Sequence, residues 1–268
     1  MAGPSWDYKR IVALRAPRVY VIVWHAGATE EPKARIQAFQ AGARMVTHDP
    51  EHLAEALGLI AGIRGTGAHE CPWCGLAGLS ALELWQHQPL YHIYERDKTD
   101  VCCPVCSKAT SRLTRHINLT HGPEAKVDER TGVFALAIVR RPSDGKFLMV
   151  QERYHEGYWV PGGGVDPGES LMEVTGILTI EASHHGAWRR IIFLAEPLPG
   201  SEHRCKTLPD VESAGACWVA AAEVAQLPLR CESEPLTWIP HVAGGGPVLP
   251  LDPAVVPQLG RVFPDYTL

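Results

Sequence analysis

Residues 18–65 alternate between short apolar runs and amphipathic stretches. The continuous apolar run at 18–24 is typical of a buried strand, and so is the shorter run at 44–47. Thr29-Glu-Glu-Pro32 opens a helix after the first run, and Asp49-Pro50 supplies an N-cap and a helix-starting proline after the second. This βαβα order predicts a small parallel sheet.

The stretch Ala38-Phe-Gln-Ala-Gly-Ala43, followed by His48-Asp-Pro50, resembles the last two βα units of a response-regulator receiver domain. The phosphoacceptor aspartate of that family would lie on an earlier strand, and nothing in this sequence matches it. The resemblance therefore implies a receiver-like half fold over residues 1–66, without phosphoacceptor signalling.

The pattern changes to β-structure from Thr131 onward. Four apolar runs predict strands, at residues 133–139, 146–151, 175–181 and 188–195. The first two are predicted to form a hairpin across the turn at 141–145. The third and fourth are predicted to form another across the turn at 183–186.

Composition and charge limit the classes of partner. The 46% hydrophobic content is enough for a buried core, and no window is long and apolar enough for a signal peptide or a membrane span. We therefore expect an intracellular protein, cytoplasmic or nuclear, with no membrane partner. Because the formal net charge is −5, extended contact with the phosphates of duplex DNA is not expected.

Two cysteine–histidine clusters stand in the middle of the chain. They are Cys71-x2-Cys74-x12-His87-x4-His92 and Cys103-x2-Cys106-x9-His116-x4-His121. This is the spacing of Cys2His2 zinc fingers, in which thiolates and imidazoles surround Zn²⁺ as a tetrahedron. Four protein ligands leave no open position for water, so both zinc ions are predicted to be structural.

The remaining cysteines are Cys102, Cys205, Cys217 and Cys231, all predicted to be free thiols. Cys103 is preferred over its neighbour Cys102 as a ligand because it gives the two-residue spacing to Cys106. Each finger has a complete ligand set of its own. The sequence therefore predicts that a change such as Cys71→Ser would unfold the first finger alone.

The partner of the fingers is suggested by their helix surfaces. The three positions that would face bases in a DNA-reading finger are Ser80, Glu83 and Gln86 in the first, and Ala109, Arg112 and Arg115 in the second. The first finger also carries an aromatic set, Trp73, Trp85, Tyr91 and Tyr94. A protein partner or intramolecular docking is therefore favoured over DNA.

The run Tyr158-Trp-Val-Pro-Gly-Gly-Gly-Val-Asp-Pro-Gly-Glu-Ser170 resembles the opening of the Nudix box, G-x5-E-x7-R-E-U-x-E-E-x-G-U with U aliphatic. Gly163 and Glu169 occupy its first two fixed positions. The resemblance implies a mixed-sheet α/β/α sandwich that hydrolyses nucleoside-diphosphate-linked substrates. It also implies that the loop of Gly162, Gly163 and Gly164, together with glutamates, binds Mg²⁺ or Mn²⁺ against a nucleotide ligand.

The chain departs from the Nudix pattern beyond Glu169. The six positions of R-E-U-x-E-E are Ile177 to Ala182, where only Glu181 matches, and this stretch has the composition of a strand. The box helix is therefore predicted to be largely missing. Glu169 and Glu173, four residues apart, would hold a metal weakly if they share a helix face. Asp210 or Glu212 is the candidate loop base.

The sequence as a whole predicts an α+β multidomain protein. Its segments are a small α/β part at residues 1–66, tandem Cys2His2 fingers at 67–124 and a Nudix-like domain with a shortened box helix at 130–268. We expect a zinc-binding protein whose Nudix-derived domain is a weak or inactive pyrophosphohydrolase. The alternatives are an active Mg²⁺-dependent pyrophosphohydrolase and a nucleic-acid-associated regulatory protein.

Overall fold

The chain forms two compact units. The computed structural model describes residues 6–14, 19–123, 133–154, 156–164, 174–182, 188–201 and 205–250. The first unit comprises residues 1–128, 150–158 and 205–218, and the second comprises residues 129–149, 159–204 and 219–268. The domain limits drawn from the sequence stay predictions.

The N-terminal segment of the first unit contains the predicted βαβα elements after one additional helix. These are α1 (Tyr8–Leu14), β1 (Ile22–Trp24), α2 (Pro32–Ala41), β2 (Met45–Thr47) and α3 (Pro50–Ala61). Strands β1 and β2 pair in parallel, which confirms the βαβα prediction. Helix α3 begins at the predicted cap, where the Asp49 carboxylate accepts hydrogen bonds from the N–H groups of Glu51 and His52.

Arg35 of α2 is the largest fully buried side chain of the described residues. Its guanidinium donates to the carbonyl oxygens of Ala28 and Val46, at 3.2 and 2.7 Å. It also donates to the amide oxygen of Gln151 at 2.7 Å and to the carbonyl oxygen of Ala214. A buried cation needs such acceptors. Arg35 therefore ties the N-terminal segment to the two later stretches of chain in the same unit.

The middle of the first unit contains two ββα fingers. The first consists of β3 (His69–Glu70), β4 (Ala77–Leu79) and α4 (Ala81–His92). The second consists of β5 (Val101–Cys102), β6 (Ala109–Thr110) and α5 (Leu113–His121). In α4, the Ser80 side chain caps the helix and Glu83 returns a hydrogen bond to the Ser80 N–H group, which completes a capping box.

The two fingers share one hydrophobic core. A single cluster of buried residues contains Leu79 and Leu84 of the first finger and Leu113 and Ile117 of the second. The helices are also joined by a hydrogen bond from the Trp85 indole N–H to the Asn118 side-chain oxygen, 3.1 Å long. The shared core does not support the prediction that each finger unfolds independently. That prediction was based on ligand spacing, which carries no information about packing between the fingers.

The C-terminal end of α4 packs against the N-terminal segment. Ile93, directly after α4, is buried in one cluster with Phe39 and Val46. The Tyr91 ring meets the ring of Tyr20 edge-on, with 5.1 Å between their centroids. Finger one is therefore enclosed by the second finger on one side and by the N-terminal segment on another.

The later part of the chain supplies the remaining strands and two helices. The strands are β7 (Val133–Val139), β8 (Phe147–Glu152), β9 (Tyr158–Trp159), β10 (Gly162–Gly164), β11 (Gly176–Ala182), β12 (Arg189–Ala195), β13 (Ser213–Val219) and β14 (Leu249–Pro250). The helices are α6 (Ala221–Val224) and α7 (Pro235–Ala243). One sheet has the order β10-β7-β12-β11-β14 and another the order β13-β8-β9.

The larger sheet is mixed, as predicted. Strand β12 is parallel to β7, whereas the other neighbouring pairs are antiparallel. The antiparallel β11–β12 pairing confirms the strand pairing of the second predicted hairpin, and its turn at 183–186 lies outside the described residues. The first predicted hairpin is wrong as a strand pairing, because β7 and β8 lie in different sheets. The antiparallel Arg140–Phe147 bridge joins their ends at the turn. Both edges of β7 are instead occupied by β10 and β12.

Among the described residues, no helix combines the length and apolarity that crossing a membrane requires. The intracellular location inferred from the sequence stays a prediction.

Replacing Arg35 should destabilise the first unit. Arg35→Met leaves several buried oxygens without a donor, and each such loss costs roughly 1–3 kcal/mol. We therefore expect the free energy of unfolding to fall by about 3 kcal/mol or more in guanidinium denaturation. Gln37→Met, an exposed change on the same helix, is the control and should stay within about 0.5 kcal/mol of the parent. Equal stability of the two variants would contradict the assigned role.

Candidate metal centres

The first cluster is built by the β3–β4 turn and helix α4. The turn is closed by hydrogen bonds from the Cys71 N–H to the Leu76 carbonyl and from the Gly75 N–H to the Cys71 carbonyl. It places Cys71 and Cys74 beside the histidines at the end of α4. Cys71 Sγ lies 3.4 Å from His92 Nε2, and Cys74 Sγ lies 3.3 Å from His87 Nε2.

These distances fit a tetrahedral zinc site. Zinc bonds of about 2.3 Å to sulfur and about 2.0–2.1 Å to nitrogen give edges of about 3.6 Å between sulfur and nitrogen and about 3.3 Å between nitrogens. The two Nε2 atoms of the first cluster are 3.1 Å apart. All four ligand atoms lie within 4.8 Å of one another. The donors therefore fit Zn²⁺ with no position left for water.

The second cluster repeats this geometry in a more exposed setting. Cys103 Sγ lies 3.4 Å from His121 Nε2, and Cys106 Sγ lies 3.3 Å from His116 Nε2. Cys103 is buried, Cys106 is exposed and both histidines are partly exposed. Cys102 is exposed and lies outside the cluster, so the structure supports Cys103 as the ligand.

Burial changes the pKa values of the ligands in the first cluster. Desolvation by burial raises the pKa of the Cys71 thiol to about 12, because a bare thiolate is disfavoured there. Desolvation, followed by the neighbouring His92, lowers the pKa of His87 to about 3. The histidine is therefore neutral and able to bind a metal, whereas the thiolate needs the positive charge that zinc supplies.

The glycine loop of the predicted Nudix site lies at the edge of the larger sheet. Strand β10, formed by Gly162, Gly163 and Gly164, pairs with Phe134–Leu136 of β7. A Cβ at Gly162 would stand 2.3 Å from the Ala135 carbonyl oxygen, so close strand packing requires glycine there. Among the described residues, no atom lies within 4 Å of the position that a Cβ at Gly163 would take.

The carboxylates predicted for this site are not brought together by the described residues. Glu169 and Glu173 lie outside the described residues. Glu212 is exposed. Its neighbour Asp210 is occupied by the Lys206 ammonium and by the N–H groups of Glu212 and Ser213. The candidate catalytic roles of Glu169, Glu173 and Glu212 therefore stay predictions.

The roles of two residues of the finger module were not predicted from the sequence. The Asp97 carboxylate accepts a hydrogen bond from the Thr114 N–H group at 2.7 Å and thereby caps α5. The Glu95 carboxylate accepts a hydrogen bond from His92 Nδ1–H at 2.8 Å. A carboxylate three residues after a ligand histidine is a helical-neighbour signal that could have indicated Glu95.

Comparison with known proteins gives one family match and several structural similarities. Residues 68–122 match the family model of the zinc-binding domain of the drought induced 19 protein (Di19). The matched residues make up well under half of the chain. No curated protein matches the chain. A NUDIX hydrolase from Nitrosomonas europaea is 19% identical over 45% of this chain and 93% of its own, with a TM-score of 0.35. The MutT protein from Bacillus halodurans is 17% identical over 41% of this chain and 81% of its own, with a TM-score of 0.29.

The ligand assignment predicts the metal content of the purified chain and of two neighbouring variants. The parent should contain about two zinc ions. Cys103→Ser should lose the second ion, because it removes one thiolate from a closed tetrad. Cys102→Ser removes an exposed thiol one residue away and should keep both. Elemental analysis would contradict the assignment if the parent lacked zinc or if the two variants gave the same content.

Proposed function

We propose that the chain is a zinc-stabilised protein whose Nudix-derived domain is catalytically impaired. The two zinc ions hold the fingers together as a structural module. The Nudix-like domain binds a nucleoside-diphosphate-type ligand at most, and Mg²⁺ or Mn²⁺ is held only weakly at its glycine loop. The observation that carries the proposal is the conformation of the residues that occupy the metal-binding positions of the Nudix box.

The box positions that would carry the arginine and glutamates fall at Ile177 to Ala182. In the structure these residues belong to strand β11, which pairs with β12 over its length. The side chains of a strand alternate between faces, so these positions cannot cluster as they would on one face of a helix. Only residues 165–173 separate β10 from the first described residue before β11. The interval is short for a loop and a complete box helix.

Glu181, the only match among the six R-E-U-x-E-E positions, is engaged elsewhere. The Arg190 guanidinium contacts its carboxylate at 2.6 Å. Arg190 also pairs with Glu234, the N-cap residue of α7, at 2.5 Å, and the Trp159 indole N–H donates to the other Glu234 oxygen at 2.8 Å. This network stabilises contacts between β12, β11 and α7. It leaves Glu181 as a structural partner of Arg190, not a metal ligand.

The structure also supports a structural or protein-binding role for the fingers. Most of the second half of α4 is buried, including Leu90 and Tyr91, so this helix is not free to enter a DNA groove. Glu83, at a base-facing position, accepts hydrogen bonds from the N–H groups of Ser80 and Arg64. The first finger is therefore suited to intramolecular docking, and the exposed second finger is the part available to a protein partner.

Hydrolysis is predicted to be absent or very slow. One or two carboxylates hold hydrated Mg²⁺ loosely, so the diphosphate and the attacking water are poorly activated. The measurement is phosphate release from dinucleotide, sugar-nucleotide and nucleoside-triphosphate substrates with Mg²⁺ and with Mn²⁺. Robust turnover that disappears in Glu169→Gln, but persists in Glu181→Gln, would overturn the impaired-site proposal.

An insertion provides a positive control for this assay. A complete R-E-x-x-E-E helix placed between Glu173 and Val174 should restore the glutamate cluster and switch hydrolysis on. If turnover instead exists in the parent and depends on Glu212, the active-hydrolase alternative with a loop base gains support.

Sequence-specific binding of duplex DNA is predicted to be weak or absent. The chain has a net charge of −5, and helix α4 is buried over its second half. Electrostatic binding to duplex DNA requires several clustered Lys or Arg contacts with phosphates. Fluorescence anisotropy with a panel of duplexes at physiological salt should show no strong preference. Nanomolar affinity for one duplex over the others would support the nucleic-acid alternative.

A further inference from the structure

The two zinc sites share their ligand types and spacing but differ in their surroundings. In the first site Cys71, His87 and His92 are buried and Cys74 is partly buried. In the second site only Cys103 is buried. Exchange of a zinc ion requires a competing ligand or water to reach it. The second site is accessible to such a competitor, whereas the first is enclosed.

The sites also differ in the hydrogen-bond partners of the Nδ1 atoms of their ligand histidines. At the first site, His92 Nδ1–H donates to the Glu95 carboxylate at 2.8 Å. The Nδ1 atom of His87 is buried and has no hydrogen-bond partner among the described residues. His87 is held by ring stacking on Tyr91 instead, with 4.5 Å between the centroids. Glu95 is therefore the carboxylate that fixes the tautomer of a ligand at this site.

The described residues provide no equivalent carboxylate at the second site. His116 Nδ1 lies 3.5 Å from the Thr120 hydroxyl oxygen at an exposed position. Within the described parts of the chain, no carboxylate is hydrogen-bonded to His116 or His121. The orientation of these imidazoles therefore depends on the helix and on the metal.

Glu95 is itself connected to the N-terminal segment. The Arg44 guanidinium, just before β2, lies 3.9 Å from the Glu95 carboxylate. The Arg44 side chain is 18% exposed and that of Glu95 is 42% exposed, so the pair is partly screened. The chain of contacts runs from the metal position through His92 and Glu95 to Arg44.

We propose that Glu95 is a positioning residue for the first zinc ion and that the two zinc sites are unequal. Glu95 holds His92 with Nε2 directed at the metal and makes the imidazole a stronger donor, with Arg44 holding the carboxylate in place. A carboxylate in this position typically strengthens metal binding by about 10–100-fold. The first zinc ion is the permanent one, and the second is the exchangeable one.

Zinc release to a chromophoric chelator tests the inequality. The full chain should release one zinc ion quickly and one slowly. Cys106→Ser, which removes the exposed ligand of the second site, should abolish the fast phase and keep the slow one. A single phase that releases both ions, or loss of the slow phase in Cys106→Ser, would overturn the proposal.

The role of Glu95 is tested in the same assay. Glu95→Gln should accelerate the slow phase by about 10–100-fold and leave the fast phase unchanged. Glu70→Gln is the matched control, because it removes an exposed carboxylate directly before Cys71 and should change neither phase.

If Arg44 acts through Glu95, adding Arg44→Met to Glu95→Gln should produce little further acceleration of the slow phase. Additive effects of the two substitutions would contradict that route.

Cobalt substitution separates positioning from simple stabilisation. Co²⁺ in the tetrahedral sites reports the donor strength of its ligands through its visible absorption bands. Glu95→Gln should shift the bands of the slowly exchanging site while the far-UV circular dichroism stays unchanged. Faster release with unshifted bands and lost helical signal would mean that Glu95 only stabilises the fold, and the proposal would fail.

Discussion

The closed zinc tetrads are the constraint on which the first unit depends. Each finger has two short strands and one helix, too few residues to bury an adequate core alone. The ligands hold each turn of two cysteines against its helix. The buried leucines of both fingers then meet in one cluster that contains the ligand sulfurs of Cys71 and Cys103. Metal binding and core formation are therefore one process in this module.

The zinc-dependent module is also part of a larger core. Ile93 and Tyr94, which follow the last ligand of the first site, pack with Phe39 of the N-terminal segment. Arg35, on the same helix as Phe39, then joins this segment to Gln151 and Ala214. Loss of the first zinc ion would consequently destabilise elements that do not contact the metal. This explains why finger one is better understood as a structural element than as a free recognition unit.

Local patterns in the sequence were sufficient for the features that depend on neighbouring residues. The ligand spacing identified both tetrads, and the Asp49-Pro50 cap located the start of α3. The β-branched run at 175–181 identified a strand where the Nudix pattern requires a helix, and its pairing with β12 is observed. These features are encoded within short stretches of chain.

Features that join distant residues could not be predicted in this way. Nothing in the sequence around Arg35 indicates that it is buried or that two of its four acceptors, Gln151 and Ala214, lie more than 100 residues away. The hairpin predicted for β7 and β8 was wrong because strand composition does not specify which sheet a strand joins. The shared core of the fingers also depends on contacts that ligand spacing does not describe.

Hydrogen–deuterium exchange on Cys71→Ser is the most direct test of the shared, zinc-dependent core. Both the parent and the variant would be measured in the presence of zinc. The account predicts that amide protection falls throughout residues 69–92 and also across 101–121, because finger two packs on finger one through the shared core. Finger one also packs on the N-terminal segment, so the dependence is not expected to be reciprocal. Loss of protection confined to residues 69–92 would contradict it and would show that the fingers fold independently.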